Sequence, residues 1–276
     1  MPLGTLRPLE RGLSMQRTVS AELALHIDDL ARLAFIVAVA DRPAEERFEL
    51  RHDGALVKAR EVTDAAGSRI HIVDVAAGSL TMSYSARIEE QAEAPSVTEL
   101  ELLEFLRPSR YCEADHLAAT ARAEFSGLEG RELLAAVSSW VGTRLTYVPG
   151  SSLPTDGAIR TLLGGEGVCR DYAHLVIGLL RALDVPARLA AVYAPGLDPM
   201  DFHAVAEAHV EGAWHVVDAT TLAPRSSLVR IATGRDAADT AFLSAYGGNV
   251  TVEAIEVSAV ADVLPDDDIT ELVQLR

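Results

Sequence analysis

Residues 165–188 read GEGVCRDYAHLVIGLLRALDVPAR, and this segment predicts a single helix with a cysteine at its start. The run 172–183 is apolar on nearly every side, which is typical of a helix buried in a core. Pro186 disfavours helical geometry at the preceding residue, so we expect the helix to end near Asp184. The helix is limited on its other side by Gly164, Gly165 and Gly167. Cys169 is therefore predicted to lie in the first helical turn.

A cysteine at a helix start has two interpretations. The free N–H groups and the helix dipole favour an anion there, and the thiolate is the nucleophilic form of cysteine. The alternative is that Cys169 is a small buried apolar residue at the edge of the core. The residues downstream of the helix help to distinguish a nucleophilic Cys169 from a structural one.

The downstream segment FHAVAEAHVEGAWHVVDAT predicts a β-hairpin that turns at Glu211-Gly212. A two-residue loop pairs Val210 with Ala213, and that register brings His203 and Asp218 to one face as diagonal neighbours. A shift by two residues makes the pair directly opposed, whereas an odd shift or a bulge puts the two side chains on opposite faces. Either even register lets the carboxylate reach the imidazole.

A buried helix that begins with Cys169 and packs on this hairpin provides what a Cys-His-Asp triad needs. The histidine takes the thiol proton and later protonates the leaving amine, and the aspartate orients the imidazole and stabilises the imidazolium. The chain order nucleophile, base, carboxylate is compatible with an acyl-transfer enzyme.

Residues 17–90 predict a small antiparallel β-sandwich that precedes this unit. Their apolar and polar residues alternate with the period of strands that bury one face. The predicted strands are TVSAELALHI, LAFIVAVA, RFELRHDG, ALVKAREV, RIHIVDV and LTMSYSARI. The charged, proline-containing stretch 89–96 is typical of a linker. We therefore expect a disordered leader at 1–16, a sandwich domain at 17–90 and a catalytic domain at 97–276.

The composition excludes several classes of partner. The formal net charge of -17 opposes attraction to nucleic acid and to anionic membranes, and no apolar run is long enough to cross a bilayer. Two cysteines form neither a disulfide framework nor a zinc site, and the start of the chain does not resemble a signal peptide. We expect a cytoplasmic protein without a cofactor, and the sequence leaves its oligomeric state open.

The other candidate residues favour structural roles. His174 lies more than a helical turn beyond Cys169, and Cys112 is expected to be a packed thiol. His209 and His215 face opposite sides of the hairpin, so no metal site is predicted there. Residues 266–268 are three aspartates that we interpret as a solvated turn. Arg170 and Asp171 either shape the cleft or cap and solvate the helix.

The pieces GVCRDYAHL, VPARLA, DFHAVAEAHV and WHVVDAT resemble the transglutaminase-like superfamily over about residues 97–250. Three motifs in order, with spacings of 203 − 169 = 34 and 218 − 203 = 15, are more specific than any one of them. The resemblance implies a papain-like core in which Cys169 is the nucleophile, His203 the general base and acid, and Asp218 the orienting carboxylate. The preceding strands resemble a bacterial transglutaminase-like N-terminal domain. The predicted fold is therefore α+β: an N-terminal antiparallel β-sandwich, then a papain-like transglutaminase core.

The sequence departs from the animal transglutaminases of this superfamily in two ways. Those enzymes carry a tryptophan upstream of the cysteine that stabilises the oxyanion, and the corresponding stretch SSLPTDGAIRTLL has none. The Cys169 N–H can supply one donor, and the second is unassigned, because Tyr147 and Trp140 fit packing roles better. The calcium-binding elaborations of the animal enzymes are also missing from the sequence.

The resemblance implies thiol-dependent acyl transfer at a peptide or isopeptide amide of a peptide or protein substrate. Without the animal elaborations it favours hydrolysis, as in a cysteine protease or amidase, through a thioester intermediate. Cross-linking of glutamine side chains to amines is the alternative enzyme activity. A peptide-binding scaffold that kept the fold without the chemistry is the alternative from a different class.

Overall fold

The computed structural model describes residues 15–89 and 97–275. Most of the predicted leader and linker therefore lies outside the described residues. Residues 15, 16 and 89 are the exceptions, and the backbone N–H of Gln16 donates to Asp262 Oδ1 at 3.1 Å.

Seven strands form in the part of the chain for which a sandwich is predicted. They are β1 (Arg17–Ile27), β2 (Ala31–Phe35), β3 (Glu45–His52), β4 (Ala55–Val57), β5 (Arg60–Thr63), β6 (Arg69–Val75) and β7 (Gly78–Ile88). Burial alternates along β1 and β7, as the sequence pattern predicts for strands with one face in the core. Two details differ from the prediction: ALVKAREV divides into β4 and β5, and LAFIVAVA leaves strand geometry after Phe35, although residues 36–39 remain buried.

The sandwich contains two further strands from the far end of the chain, β14 (Leu243–Gly247) and β15 (Val250–Ala261). One sheet has the order β15-β1-β7-β3-β4, and the other has the order β14-β2-β6-β5. Residues 243–261, which lie in the predicted catalytic domain 97–276, therefore pair with strands of the predicted sandwich domain 17–90 and complete the sandwich. Alternation predicts that a segment is a strand, but it does not specify the strand with which it pairs.

The segment between β7 and β14 forms a second core of helices packed on a sheet. The helices are α1 (Glu99–Glu104), α2 (Ala114–Phe125), α3 (Gly130–Arg144), α4 (Ala158–Gly164), α5 (Cys169–Arg181) and α6 (Ala237–Thr240). Its strands are β8 (Thr146–Tyr147), β9 (Glu166–Gly167), β10 (Ala187–Tyr193), β11 (Phe202–Val210), β12 (Ala213–Val217) and β13 (Val229–Gly234). Four of these strands form an antiparallel sheet of order β12-β11-β10-β13, while β8 and β9 form a separate parallel pair.

Helix α5 is the centre of this second core. It begins at Cys169, and all its residues from Asp171 to Arg181 are buried. It packs against β10, β11 and three other helices. The helix ends before Asp184, whose φ of 60° lies in the left-handed region, and the N–H of Val185 turns back to the carbonyl of Leu180 at 3.0 Å. The predicted buried helix with Cys169 in its first turn is confirmed.

The predicted α+β class is likewise confirmed, with an antiparallel sandwich at the N-terminal end and the cysteine-bearing helix on an antiparallel sheet. Among residues 15–89 and 97–275, no helix has the length and apolar character needed to cross a membrane.

The C-terminal segment after β15 lies along β12, the edge strand of the four-stranded sheet. The N–H of Val216 donates to the carbonyl of Val273 at 2.7 Å. Asp267 binds the buried guanidinium of Arg225, with Nε–Oδ2 and Nη2–Oδ1 distances of 2.9 Å each. The interpretation of residues 266–268 as only a solvated turn is therefore wrong for Asp267, because its carboxylate holds the segment to the core.

Candidate active site

Cys169 is the first residue of α5, and the loop before it is held by a buried carboxylate. Asp171 Oδ2 accepts the backbone N–H of Val168 at 2.8 Å, and its Oδ1 accepts the hydroxyl of Ser152 at 2.9 Å. The Arg170 guanidinium donates to the same hydroxyl at 2.7 Å and to a carbonyl at 3.0 Å. Asp171 thus caps the helix, and Arg170 fixes the loop beside it. Cys169 itself is partly exposed, as a nucleophile must be.

The hairpin that carries His203 and Asp218 has the predicted register. Val210 pairs with Ala213 across the turn. Glu211 and Gly212 at the turn have φ values of 52° and 82°, as a tight two-residue turn of the I′ type requires. Nε2 of His203 lies 2.9 Å from Oδ2 of Asp218, and both side chains are buried. The predicted even register is confirmed.

The second oxygen of Asp218 is held by a residue that the sequence analysis did not assign to the site. Oδ1 accepts the backbone N–H of Thr220 at 2.9 Å and its hydroxyl at 2.7 Å. An aspartate whose carboxylate binds the backbone two residues ahead forms an Asx turn, so the sequence Asp-Ala-Thr contained this signal. Thr220 fixes the carboxylate in the orientation that meets His203.

The imidazole of His203 interacts with both Asp218 and the Cys169 thiol. Burial opposes the imidazolium, but the charge and hydrogen bond of Asp218, helped by Cys169, outweigh it and raise the pKa of His203 above its usual value. Burial also opposes the carboxylate of Asp218, and His203 and Thr220 nevertheless lower its pKa. Because Asp218 occupies Nε2, the ring nitrogen left for the thiol is Nδ1, which has no hydrogen-bond partner in the described part of the chain.

Tyr147 lies beside this site, and its ring also lies 6.0 Å from that of Tyr172, next to which it packs. Its hydroxyl is close enough to Cys169 for an electrostatic interaction between the two residues. The short strand β8 brings it there by pairing with β9, directly before α5, so that Tyr147 lies opposite Gly167. Two residues per strand leave no periodicity in the sequence, which is why the contact was missed. Trp140 has the packing role predicted for it, with its ring 5.8 Å from that of Phe125.

The remaining candidates lie apart from this arrangement. His174 is fully buried, its Nε2 accepts the N–H of Ala237 at 3.1 Å, and burial lowers its pKa to about 3. Cys112 is also fully buried, and burial raises the pKa of its thiol to about 12. Both residues are structural. Within the described residues, no group of three or more histidine, cysteine or acidic side chains is arranged to hold a metal ion.

A cysteine at a helix start, beside a buried histidine that is bonded to a buried aspartate, has the geometry of a papain-like thiol site. Comparisons with known proteins agree with this class. Residues 116–219 match the family described as the transglutaminase-like superfamily. The solved structure of a proposed cysteine protease from Cytophaga hutchinsonii is 31% identical, with a TM-score of 0.82 and coverage of 92% of each chain. An uncharacterized protein of Mycobacterium leprae (strain TN) is 26% identical over 207 residues, which are 66% of this chain and 74% of that protein.

The chain belongs to the transglutaminase-like superfamily. The Cytophaga protein resembles it over the sandwich as well as the core, since the similarity covers 92% of both chains.

Proposed function

We propose that the protein is a thiol-dependent hydrolase that cleaves a peptide or isopeptide amide of a peptide or protein substrate. The observation that carries the proposal is the buried His203–Asp218 bond beside the Cys169 thiol. A protonated imidazole that persists at neutral pH stabilises a neighbouring thiolate, which is the attacking form of cysteine. The likeness to a proposed cysteine protease supports the same chemistry.

The reaction has two halves. The Cys169 thiolate attacks the amide carbonyl carbon, the π electrons of the carbonyl move onto its oxygen, and the resulting tetrahedral oxyanion collapses to a thioester. The departing amine takes a proton from the His203 imidazolium. In the second half, His203 accepts a proton from water as the water attacks the thioester, and Cys169 leaves as thiolate. Asp218 keeps the imidazole in position and stabilises its charged form throughout.

The first test is cleavage of a proteome-derived peptide library, with new termini detected by mass spectrometry. We expect the wild-type protein to generate new termini, and we expect Cys169→Ala and His203→Ala to generate none. Cys112→Ala is the matched control, because it removes the other thiol of the chain, which is buried. It should cleave like the wild type.

The same variants distinguish hydrolysis from cross-linking. Incorporation of dansylcadaverine into dimethylcasein without any new peptide termini would favour a transamidase and overturn the hydrolase proposal. Activity that persists in Cys169→Ala would overturn any thiol mechanism.

A further inference from the structure

The Tyr147 side chain lies beside the nucleophile, and the hydrolase mechanism above assigns it no role. It is close enough to Cys169 to interact electrostatically with its thiol and backbone, and its ring lies beside that of Tyr172 in the first turn of α5, with centroids 6.0 Å apart. Its backbone is fixed there by the β8–β9 pair, in which Thr146 N–H donates to Gly165 O at 2.9 Å and Val148 N–H donates to Gly167 O at 3.0 Å. Tyr147 is thus tied on both sides to the chain that leads into α5.

This position is where negative charge develops during attack on a carbonyl. When the thiolate bonds to the carbonyl carbon, the carbonyl oxygen becomes an oxyanion close to the N–H of the nucleophilic residue. The Cys169 N–H lies at the start of α5, where backbone N–H groups have no partner within the helix. One N–H leaves the oxyanion under-stabilised, since sites of this kind use preorganised donors from more than one group.

The chemical state of Tyr147 suits a donor. Burial first, and then the neighbouring Cys169, raise its pKa to about 12, so the hydroxyl keeps its proton at neutral pH. The side chain is also 38% exposed, so a substrate entering from solvent can reach it. Trp140, the other candidate in the sequence, packs against Phe125 and Arg144 instead.

We propose that the Tyr147 hydroxyl is the second donor of the oxyanion hole and acts together with the Cys169 N–H. The inference rests on the proposed thiol chemistry. In the free protein the hydroxyl lies against Cys169, and when substrate enters it turns its proton toward the carbonyl oxygen. It then donates to the tetrahedral oxyanion and remains protonated when the intermediate collapses to the thioester.

The test compares two electrophiles that react with the same thiol. With p-nitrophenyl acetate, Cys169 attacks a carbonyl, an oxyanion forms, and p-nitrophenolate leaves to give an acetyl thioester. With iodoacetamide, Cys169 displaces iodide from a saturated carbon, and no oxyanion forms. A lost oxyanion donor slows the first reaction and leaves the second unchanged, whereas a disturbed thiol changes both.

We expect Tyr147→Phe to slow acylation by p-nitrophenyl acetate on the order of 10²-fold, with iodoacetamide alkylation close to the wild-type rate. Tyr172→Phe is the matched control. It removes a hydroxyl from the ring next to Tyr147, with centroids 6.0 Å apart, and should leave both rates unchanged. Cys169→Ala supplies the background to subtract.

Two results would overturn the inference. If Tyr147→Phe is acylated as fast as the wild type, Tyr147 is not a donor; if both reactions slow together, it only positions Cys169. Failure of the proposed function is seen separately, in the wild-type protein. If the wild type is acylated no faster than Cys169→Ala, the proposed thiol chemistry is wrong, and this inference is wrong with it.

Discussion

At the residue scale, the site depends on two buried groups that stabilise each other's charge. His203 and Asp218 are 2% and 3% exposed, so neither is charged at low cost without the other. Their opposite pKa shifts express this dependence, with that of His203 raised and that of Asp218 lowered. The reactivity of the Cys169 thiol should follow the charge of His203.

We predict that Asp218→Asn moves the onset of Cys169 alkylation to higher pH. Without the carboxylate, burial favours neutral His203, so its pKa falls and the proposed mechanism loses its imidazolium at neutral pH. Alkylation by iodoacetamide at pH 6 should slow by roughly tenfold or more. The measurement is a pH–rate profile followed by intact-protein mass and peptide mapping.

The control for this variant is Asp74→Asn, which removes a carboxylate paired with Arg32 on the sandwich surface. Its alkylation profile should match that of the wild type, and an Asp218→Asn profile equal to both would contradict the role of the pair.

The Asp218→Asn variant also tests the contribution of the His203–Asp218 pair to stability. The lowered pKa of Asp218 stabilises the fold above pH ~4. The raised pKa of His203 stabilises the fold most below pH ~6.5, and this effect is lost as the pH rises through the folded-state pKa of His203. The free energy of unfolding in urea should therefore be higher for the wild type than for Asp218→Asn by up to about 3 kcal/mol, and this difference should be largest between pH ~4 and pH ~6.5.

At the element scale, the turn that leads into α5 sets the position of the nucleophile. Gly167 approaches Asp171 so closely that a Cβ added to it would lie 2.7 Å from Asp171 Cβ. Asp171 in turn caps Val168, so the glycine, the cap and Cys169 form one packed unit. A change at the glycine should reach the nucleophile through the cap.

We predict that Gly167→Ala destabilises the protein by about 1–3 kcal/mol and slows Cys169 alkylation, because the added methyl displaces the Asp171 cap. Gly164→Ala is the matched control nearby. Its new Cβ would meet only the flexible end of the Arg160 side chain, in the last turn of α4. Urea unfolding and alkylation rates check both variants, and equal behaviour of the two would contradict a role for the Asp171 cap.

Helix α5 and the β11–β12 hairpin were predictable from sequence, because each carries a complete local signal. An apolar run between glycines and proline defines the helix, and Glu211-Gly212 defines the turn and hence the register of His203 and Asp218. The position of Tyr147 was not predictable. It depends on a two-residue parallel pair whose partner strand lies twenty residues away, and two residues are too few to show any periodicity.

At the scale of the whole molecule, side chains of the transglutaminase-like core pack into the sandwich. Tyr193, at the end of β10, donates its hydroxyl to the carbonyl of Val37 in the sandwich at 2.8 Å, and its ring lies 6.3 Å from that of Tyr84. Val229 and Ile231 of β13 also belong to the sandwich core. We therefore expect the two parts to unfold together.

We predict that Tyr193→Phe lowers the free energy of unfolding by about 1–3 kcal/mol, because it leaves the buried Val37 carbonyl without its partner. Tyr246→Phe, at an exposed position of β14, should have little effect. Urea unfolding followed by both fluorescence and circular dichroism measures the change. Two separate transitions, with only one of them shifted, would contradict a shared core.

The return of β15 to pair with β1 has a consequence for synthesis on the ribosome. Ile27 pairs with Val250, and Arg17 pairs with Ala261. As the chain emerges from its N-terminal end, one edge of β1 therefore stays unpaired until the entire transglutaminase-like core has been translated. An open strand edge invites pairing with other chains. The nascent protein is thus most exposed to misassembly while its transglutaminase-like core is being translated, and this exposure ends when β15 pairs with β1.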